Sequence, residues 1–200
     1  MRRFILGWRK LGFARRFRAE IVNYADDLCV LGTAPAADML TAVTRLMDGL
    51  KLPINERKTR CLRCPEKSFE FLGFRIGRNY RPRGRGAYIG TRPSKASVQS
   101  ICRKISAMTG PRYGWQSSED MVHQLNRIMV GWGHYFHLGQ ATPAYSAVNR
   151  HAARRLRRWL GRKCKTKAGN YVHVSGAALH EQYGLVRLSR QTLGLPRAKA

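Results

Sequence analysis

Acid is what this chain has least of: 11 Asp and Glu stand against 38 Lys and Arg, a formal net charge of +27 over 200 residues. Such an excess works against its own folding unless a polyanion or counterions screen it, so phosphate backbone is the natural ligand. Long apolar runs are also missing. None approaches the ~20 residues of a bilayer span, and Met1-Arg2-Arg3-Phe4-Ile5-Leu6 is soon interrupted by Arg9 and Lys10, which does not suit a signal peptide. An anionic membrane surface is the lesser alternative, and the reading is a cytoplasmic protein without a membrane partner. Cysteine is sparse and odd in number: Cys29, Cys61, Cys64, Cys102 and Cys164 lie scattered in apolar or basic stretches, as reduced thiols do. Cys61-x-x-Cys64 has a zinc-type spacing, but its only matching pair, His134-x-x-His137, lies about seventy residues on inside an amphipathic helix, so zinc is the minor reading.

Apolar residues are sufficient for a core. At 44% hydrophobic and 10% aromatic, the chain is no disordered basic tail and can form one large or two small domains. The charge divides unevenly. Residues 1 to 70 hold 14 basic and 8 acidic residues, whereas 71 to 200 hold 24 basic and 3 acidic, namely Glu119, Asp120 and Glu181. The second part is the expected polyanion-binding surface.

Periodicity predicts a helix over residues 2 to 17 with Phe4, Trp8 and Leu11 on one stripe, weakened by Gly7 and Gly12. A hairpin from Ala19 to Leu31 follows. Met39, Leu40, Val43, Leu46, Met47 and Leu50 then form a helical stripe over Ala36 to Leu50, ended near Pro53. Thr59 to Arg63 and Phe69 to Ile76 read as strands. Residues 77 to 93 alternate Gly with Arg and read as a basic connection with one strand around Tyr88. Three helices follow. Ser94 caps the first, which Gly110-Pro111 stops; Ser117 or Ser118 caps the second, with Glu119 and Asp120 in its first turn; Thr142 and Pro143 open the third.

The chemistry-bearing motif is Tyr24-Ala25-Asp26-Asp27 at the hairpin tip. Paired carboxylates suit a hard divalent cation, and Mg²⁺ serving phosphoryl transfer fits a basic chain; a solvated turn fits the same residues, because Asp is common at turns. Trp132 and Phe136 sit at helical spacing and read as core, which leaves Tyr135 as the aromatic candidate for RNA contact. On the third helix, Arg150, Arg154, Arg155, Arg157, Arg158 and Arg162, with Lys163, Lys165 and Lys167 beyond, lack accompanying acid and read as a phosphate-binding face rather than a merely solvated one.

Tyr24-Ala25-Asp26-Asp27, then Leu52-Pro53-Ile54-Asn55-Glu56-Arg57-Lys58-Thr59, then Phe69-Glu70-Phe71-Leu72-Gly73-Phe74 resemble, in order and spacing, the last palm motifs of reverse transcriptases. Arg92-Pro93-Ser94-Lys95, Leu125-Asn126-Arg127, Gly131 to Phe136 and Tyr183 to Leu188 resemble the thumb and maturase-specific region of group II intron-encoded proteins. The resemblance runs over essentially the whole chain. It implies an α+β protein: a partial reverse-transcriptase palm over 1–76, the basic connection over 77–93, and an α-helical thumb and maturase domain over 94–200.

The resemblance also implies roles. Asp26 and Asp27 become catalytic metal ligands for Mg²⁺ in a two-metal polymerase site, and Lys58 a catalytic lysine near the nucleotide phosphates. Phe71, Leu72, Gly73 and Phe74 become the primer grip. A surface lysine and a buried strand remain open for these last two motifs. The implied partners are group II intron RNA and an RNA template with its DNA primer. The family site needs a third carboxylate on an earlier palm strand, and Glu20 is too close to Tyr24 to supply it. The expectation is therefore a C-terminal portion of such a protein, paired with a complementary N-terminal fingers-palm fragment and unable to polymerise alone. A non-catalytic RNA-binding splicing factor of maturase type is the alternative.

Overall fold

The computed structural model describes residues 1–80, 86–163 and 174–194, which form an α+β chain with two hydrophobic cores. Lys165 and Lys167 lie outside the described residues. No described helix is long and apolar enough to cross a membrane.

The first core gathers α1 (Arg2–Lys10), α2 (Phe13–Arg16), the antiparallel hairpin β1 (Glu20–Tyr24) and β2 (Asp27–Leu31), and α3 (Ala36–Gly49). Phe4, Trp8, Phe17, Met39, Val43 and Met47 are buried together in it. The expected single helix over 2 to 17 is two helices. Gly12 takes a left-handed φ of 73°, the break follows it, and Leu11 ends 59% exposed instead of continuing the stripe. The turn folds Phe13 and Phe17 back onto Trp8, with ring centroids 5.3 and 5.9 Å away.

Thr59 to Arg63, expected as a strand, is irregular. Asn55 explains part of this: its carbonyl accepts from Lys58 N, Thr59 N and Thr59 Oγ1, and its side-chain oxygen accepts from Lys58 N at 3.3 Å. A turn thus satisfies the groups a ladder would have used.

The second sheet is the antiparallel meander β3 (Phe69–Phe71), β4 (Phe74–Tyr80) and β5 (Ala87–Pro93). The Gly- and Arg-rich stretch is thus the arms of a hairpin, with Gly77 opposite Gly90 and Arg78 opposite Ile89. Gly77 is needed because a Cβ there would meet Ser68 Cβ at 2.7 Å.

The larger core belongs to α4 (Lys95–Met108), α5 (Ser118–Tyr135), α6 (Thr142–Lys163) and α7 (Gly176–Glu181). Ser94 Oγ accepts from Ser97 N at 3.2 Å, and Ser117 Oγ from Asp120 N at 3.0 Å, so both caps form where the sequence places them. Ile101, Ile105, Met121, Leu125, Met129, Val148, Leu156 and Trp159 interdigitate at the centre. After α7 an extended segment crosses the bundle, held by two asparagine side chains. Asn126 donates to Gly184 O and accepts from Val186 N, both at 2.8 Å; Asn149 donates to Leu188 O at 3.0 Å and accepts from Leu188 N at 2.9 Å.

Candidate nucleic-acid interface

Tyr24 and Asp27 close the first hairpin, and Ala25 and Asp26 form its two-residue turn. Ala25 sits at a φ of 51°, a left-handed conformation that costs a Cβ-bearing residue about 1–2 kcal/mol. Asp26 and Asp27 are both exposed at this tip, so their carboxylates are hydrated and available. They supply two hard oxygen-bearing groups. Among the described residues no set of three or more His, Cys, Asp or Glu comes together to hold a metal ion, and Cys61 and Cys64 gain no further ligand. Among the described residues the donor set at the tip is therefore partial: two carboxylates without a third such ligand. Lys58 is exposed in the Asn55 turn, on a different segment from the hairpin.

The Phe71-Leu72-Gly73-Phe74 hairpin is a two-residue turn with φ of 49° at Leu72 and 77° at Gly73, closed by the Phe71 and Phe74 pair. Positive φ at both central positions matches the twist of the flanking strands. The turn docks on the helices. Gly73 O accepts from Ser94 N at 2.8 Å and Ser97 Oγ at 2.8 Å, while Tyr135 Oη donates to Leu72 O at 3.2 Å. Phe74 stacks on Tyr135 at 5.8 Å and tilts against Phe136 at 5.0 Å. Tyr135, read from sequence as an RNA contact, is thus a strut between hairpin and α5 that remains 53% exposed. Trp132 packs on Phe136 and Tyr145, as core spacing predicts.

The arginines of α6 divide into two groups. Arg155 turns inward: its Nε donates to Thr109 Oγ1 at 2.9 Å and its Nη2 to Ser106 O at 2.8 Å. Burial, followed by the nearby Arg158, Arg162 and Arg154, lowers its pKa. Arg157 donates to Val174 O at 2.8 Å, and Lys163 Nζ caps Gly114 O at 3.3 Å and Gln116 O. These three side chains tie α6 to its surroundings. Arg150, Arg154, Arg158 and Arg162 are exposed. They recur every fourth residue, so they form one ridge with a rise of about 6 Å between neighbours. The ion pair formed among the described residues is Arg63 with Glu66, well away in sequence from this ridge.

A group that sequence reasoning missed lies beside the ridge. His151 Nε2 meets Ser106 Oγ at 2.8 Å, and Arg154 Nη2 meets His151 Nδ1 at 3.2 Å. No local pattern signals this pair, because its members are far apart in sequence and meet only where α4 packs on α6. Burial first, then the charges of Arg154 and Arg155, hold the imidazole pKa below its ordinary value, against a backbone hydrogen bond at Cys102 that raises it.

No curated protein matches the chain. Residues 98–174, which begin in α4 and take in all of α5 and α6, match the family model of the group II intron maturase-specific domain. The arginine ridge, the Ser106 and His151 pair and the docking face for the second hairpin thus lie within or beside the stretch that is similar to the group II intron maturase-specific domain.

Proposed function

We propose that the chain binds the structured RNA of a group II intron through the exposed ridge of α6 and so assists its splicing. The ridge carries this reading: Arg150, Arg154, Arg158 and Arg162 share one face of a helix whose opposite face, Tyr145, Val148, Ala152, Leu156 and Trp159, is buried in the core. A rigid row of guanidinium groups without intervening carboxylates suits successive phosphates, and Arg prefers the forked contact.

The first core with its acidic hairpin we assign to the end of a reverse-transcriptase palm, and the second hairpin to a primer grip next to a thumb. In that reading Asp26 and Asp27 contribute to a Mg²⁺ site, Lys58 lies near nucleotide phosphates, and a complementary fingers-palm segment supplies the remaining carboxylate. Exposure of Val22, Tyr24 and Leu31 on the two-stranded sheet supports a further partner there. RNA binding needs none of this, which favours the non-catalytic alternative for the isolated chain.

The test is the salt dependence of intron-RNA binding, followed by fluorescence anisotropy, for the parent and for Arg150, Arg154, Arg158 and Arg162 all changed to Gln. Each lost phosphate contact lowers the slope of log affinity against log salt by about 0.7–0.9, so the variant slope should fall by roughly three. Asp26→Ala with Asp27→Ala should leave binding intact. An unchanged slope in the ridge variant, or binding that follows the aspartates, refutes the assignment.

A further inference from the structure

Between α4 and α6, beside the ridge, lies a cavity of about 340 Å³ lined by Gln99, Cys102, Arg103, Ser106 and His151. A serine 2.8 Å from an imidazole invites a nucleophile reading. Proton accounting excludes it. The Arg154 guanidinium can only donate, so His151 Nδ1 must accept its hydrogen bond. The neutral ring then carries its proton on Nε2, which faces Ser106 Oγ and the Cys102 backbone. A base that already holds its proton toward the hydroxyl cannot remove another, whereas the Ser106 hydroxyl hydrogen remains available to an acceptor in the cavity.

The exposed wall of the cavity is mostly apolar, and the polar groups it does carry add no negative charge. From α4 come the Arg103 guanidinium, the Gln99 amide and the Cys102 thiol, whose pKa burial raises, so the thiol stays uncharged. From α6 comes His151 itself; Arg154, bonded to its Nδ1, and Arg155, held by Thr109 and Ser106, lie beside the lining rather than in it. Among the described residues no carboxylate lines the cavity. One guanidinium, a hydroxyl and an amide in the lining, with the Arg154 guanidinium beside the imidazole, suit one anion.

We propose that this cavity is a phosphate-binding site that takes one phosphodiester of the bound RNA, with Arg103, Arg154 and Ser106 as donors and His151 as a further donor once protonated. The assignment rests on the RNA-binding reading above and specifies one contact within it. The anion and the proton assist each other. A phosphate in the cavity offsets the repulsion of Arg154 and Arg155 that disfavours the imidazolium. Protonation in turn places a hydrogen on Nδ1, ends the bond from Arg154 and releases that guanidinium toward the phosphate. RNA binding is therefore accompanied by proton uptake at His151, and affinity rises as pH falls through the pKa of the bound state.

The experiment has two arms on the full chain. Intron-RNA affinity is measured between about pH 7.5 and about pH 5.5 for the parent and for His151→Gln; a rise of one pKa unit on binding gives the parent up to about tenfold tighter binding at the acid end. The Gln variant should lose that gain, and a gain of the same size in both overturns the proposal. In the second arm the His151 ring resonance of the unmodified chain is titrated by NMR alone, with inorganic phosphate and with RNA. Its midpoint should move to higher pH with either, and an unmoved midpoint overturns the proposal even if His151→Gln fails to fold. A midpoint that responds to phosphate in a chain that binds no RNA would keep the site and refute the reading under which it was placed.

Discussion

Gly139 is the position where a single methyl group should do most damage. It takes a φ of 69° in the loop after α5, and an added Cβ would lie 2.0 Å from Thr91 O and 2.4 Å from Thr91 Oγ1. Thr91 cannot retreat easily, because it is paired with Ile76 inside the β4 and β5 ladder. The loop must move instead. Doing so breaks Gln140 N to Thr91 O at 2.9 Å and Gln140 Nε2 to Tyr80 O at 2.6 Å, and disturbs Arg190 Nη2 to Gly139 O at 2.8 Å. With about 1–2 kcal/mol for the left-handed conformation and about 1 kcal/mol for each lost hydrogen bond, Gly139→Ala should cost about 3–5 kcal/mol. Gly131 provides the contrast. It lies inside α5 with nothing within 4 Å of an added Cβ, so Gly131→Ala should stabilise by about 0.5–1 kcal/mol. Urea denaturation of both variants gives the global effect, and hydrogen exchange at the β5 amides shows whether the sheet has loosened from the helices. A Gly139→Ala chain within about 1 kcal/mol of the parent, with β5 protection intact, would refute the reasoning.

Thr109→Val keeps the shape of a side chain that is 1% exposed but removes the oxygen that accepts from Arg155 Nε. It should cost about 1–3 kcal/mol by urea denaturation, because a partly buried guanidinium loses its partner, and a change below about 0.5 kcal/mol would contradict the role given to Arg155. The pKa of His151 is lower in the folded chain than its ordinary value of 6.5, so the unfolded chain binds the proton that the folded chain refuses. That stability is present above the unfolded pKa and is lost as pH falls through about 6.5 toward the folded value. Urea midpoints should therefore drop on acidification less steeply in His151→Gln than in the parent, and parallel curves would refute it.

Much of the helical part was legible in sequence because its signals are local. Ser94 and Ser117 each cap within three residues, Gly110-Pro111 ends α4, and the stripes of Ile101 with Ile105 and of Leu125 with Met129 repeat at helical spacing. The N-terminal region was less legible. Phe4, Trp8 and Leu11 obey the same spacing, yet Gly12 turns the chain and only the first two become buried. At the interface, sequence identified the basic helix but not the division of its arginines. Arg154 and Arg155 are adjacent and chemically identical; one helical step of rotation leaves the first on the ridge and turns the second toward Thr109. The His151 and Ser106 pair was silent for the same reason, since only the packing of α4 on α6 creates it.

The asparagine clips on the crossing segment have a consequence for indexing. A carboxamide offers the same donor and acceptor as a peptide group, so Asn126 and Asn149 act as two fixed teeth that read backbone alone and would engage any extended chain equally well. Which residues they engage is decided by what each alternative would bury. A forward slip of two residues would restore hydrogen-bonded partners at both teeth but put Arg187 and Arg190 where Leu185 and Leu188, each 3% exposed, now lie. A backward slip would bring Tyr183 and Val186 to those places and force an aromatic ring into a space shaped for leucine. Two side chains blind to sequence thus become a counting device, with the two leucines as the mark that sets it to zero.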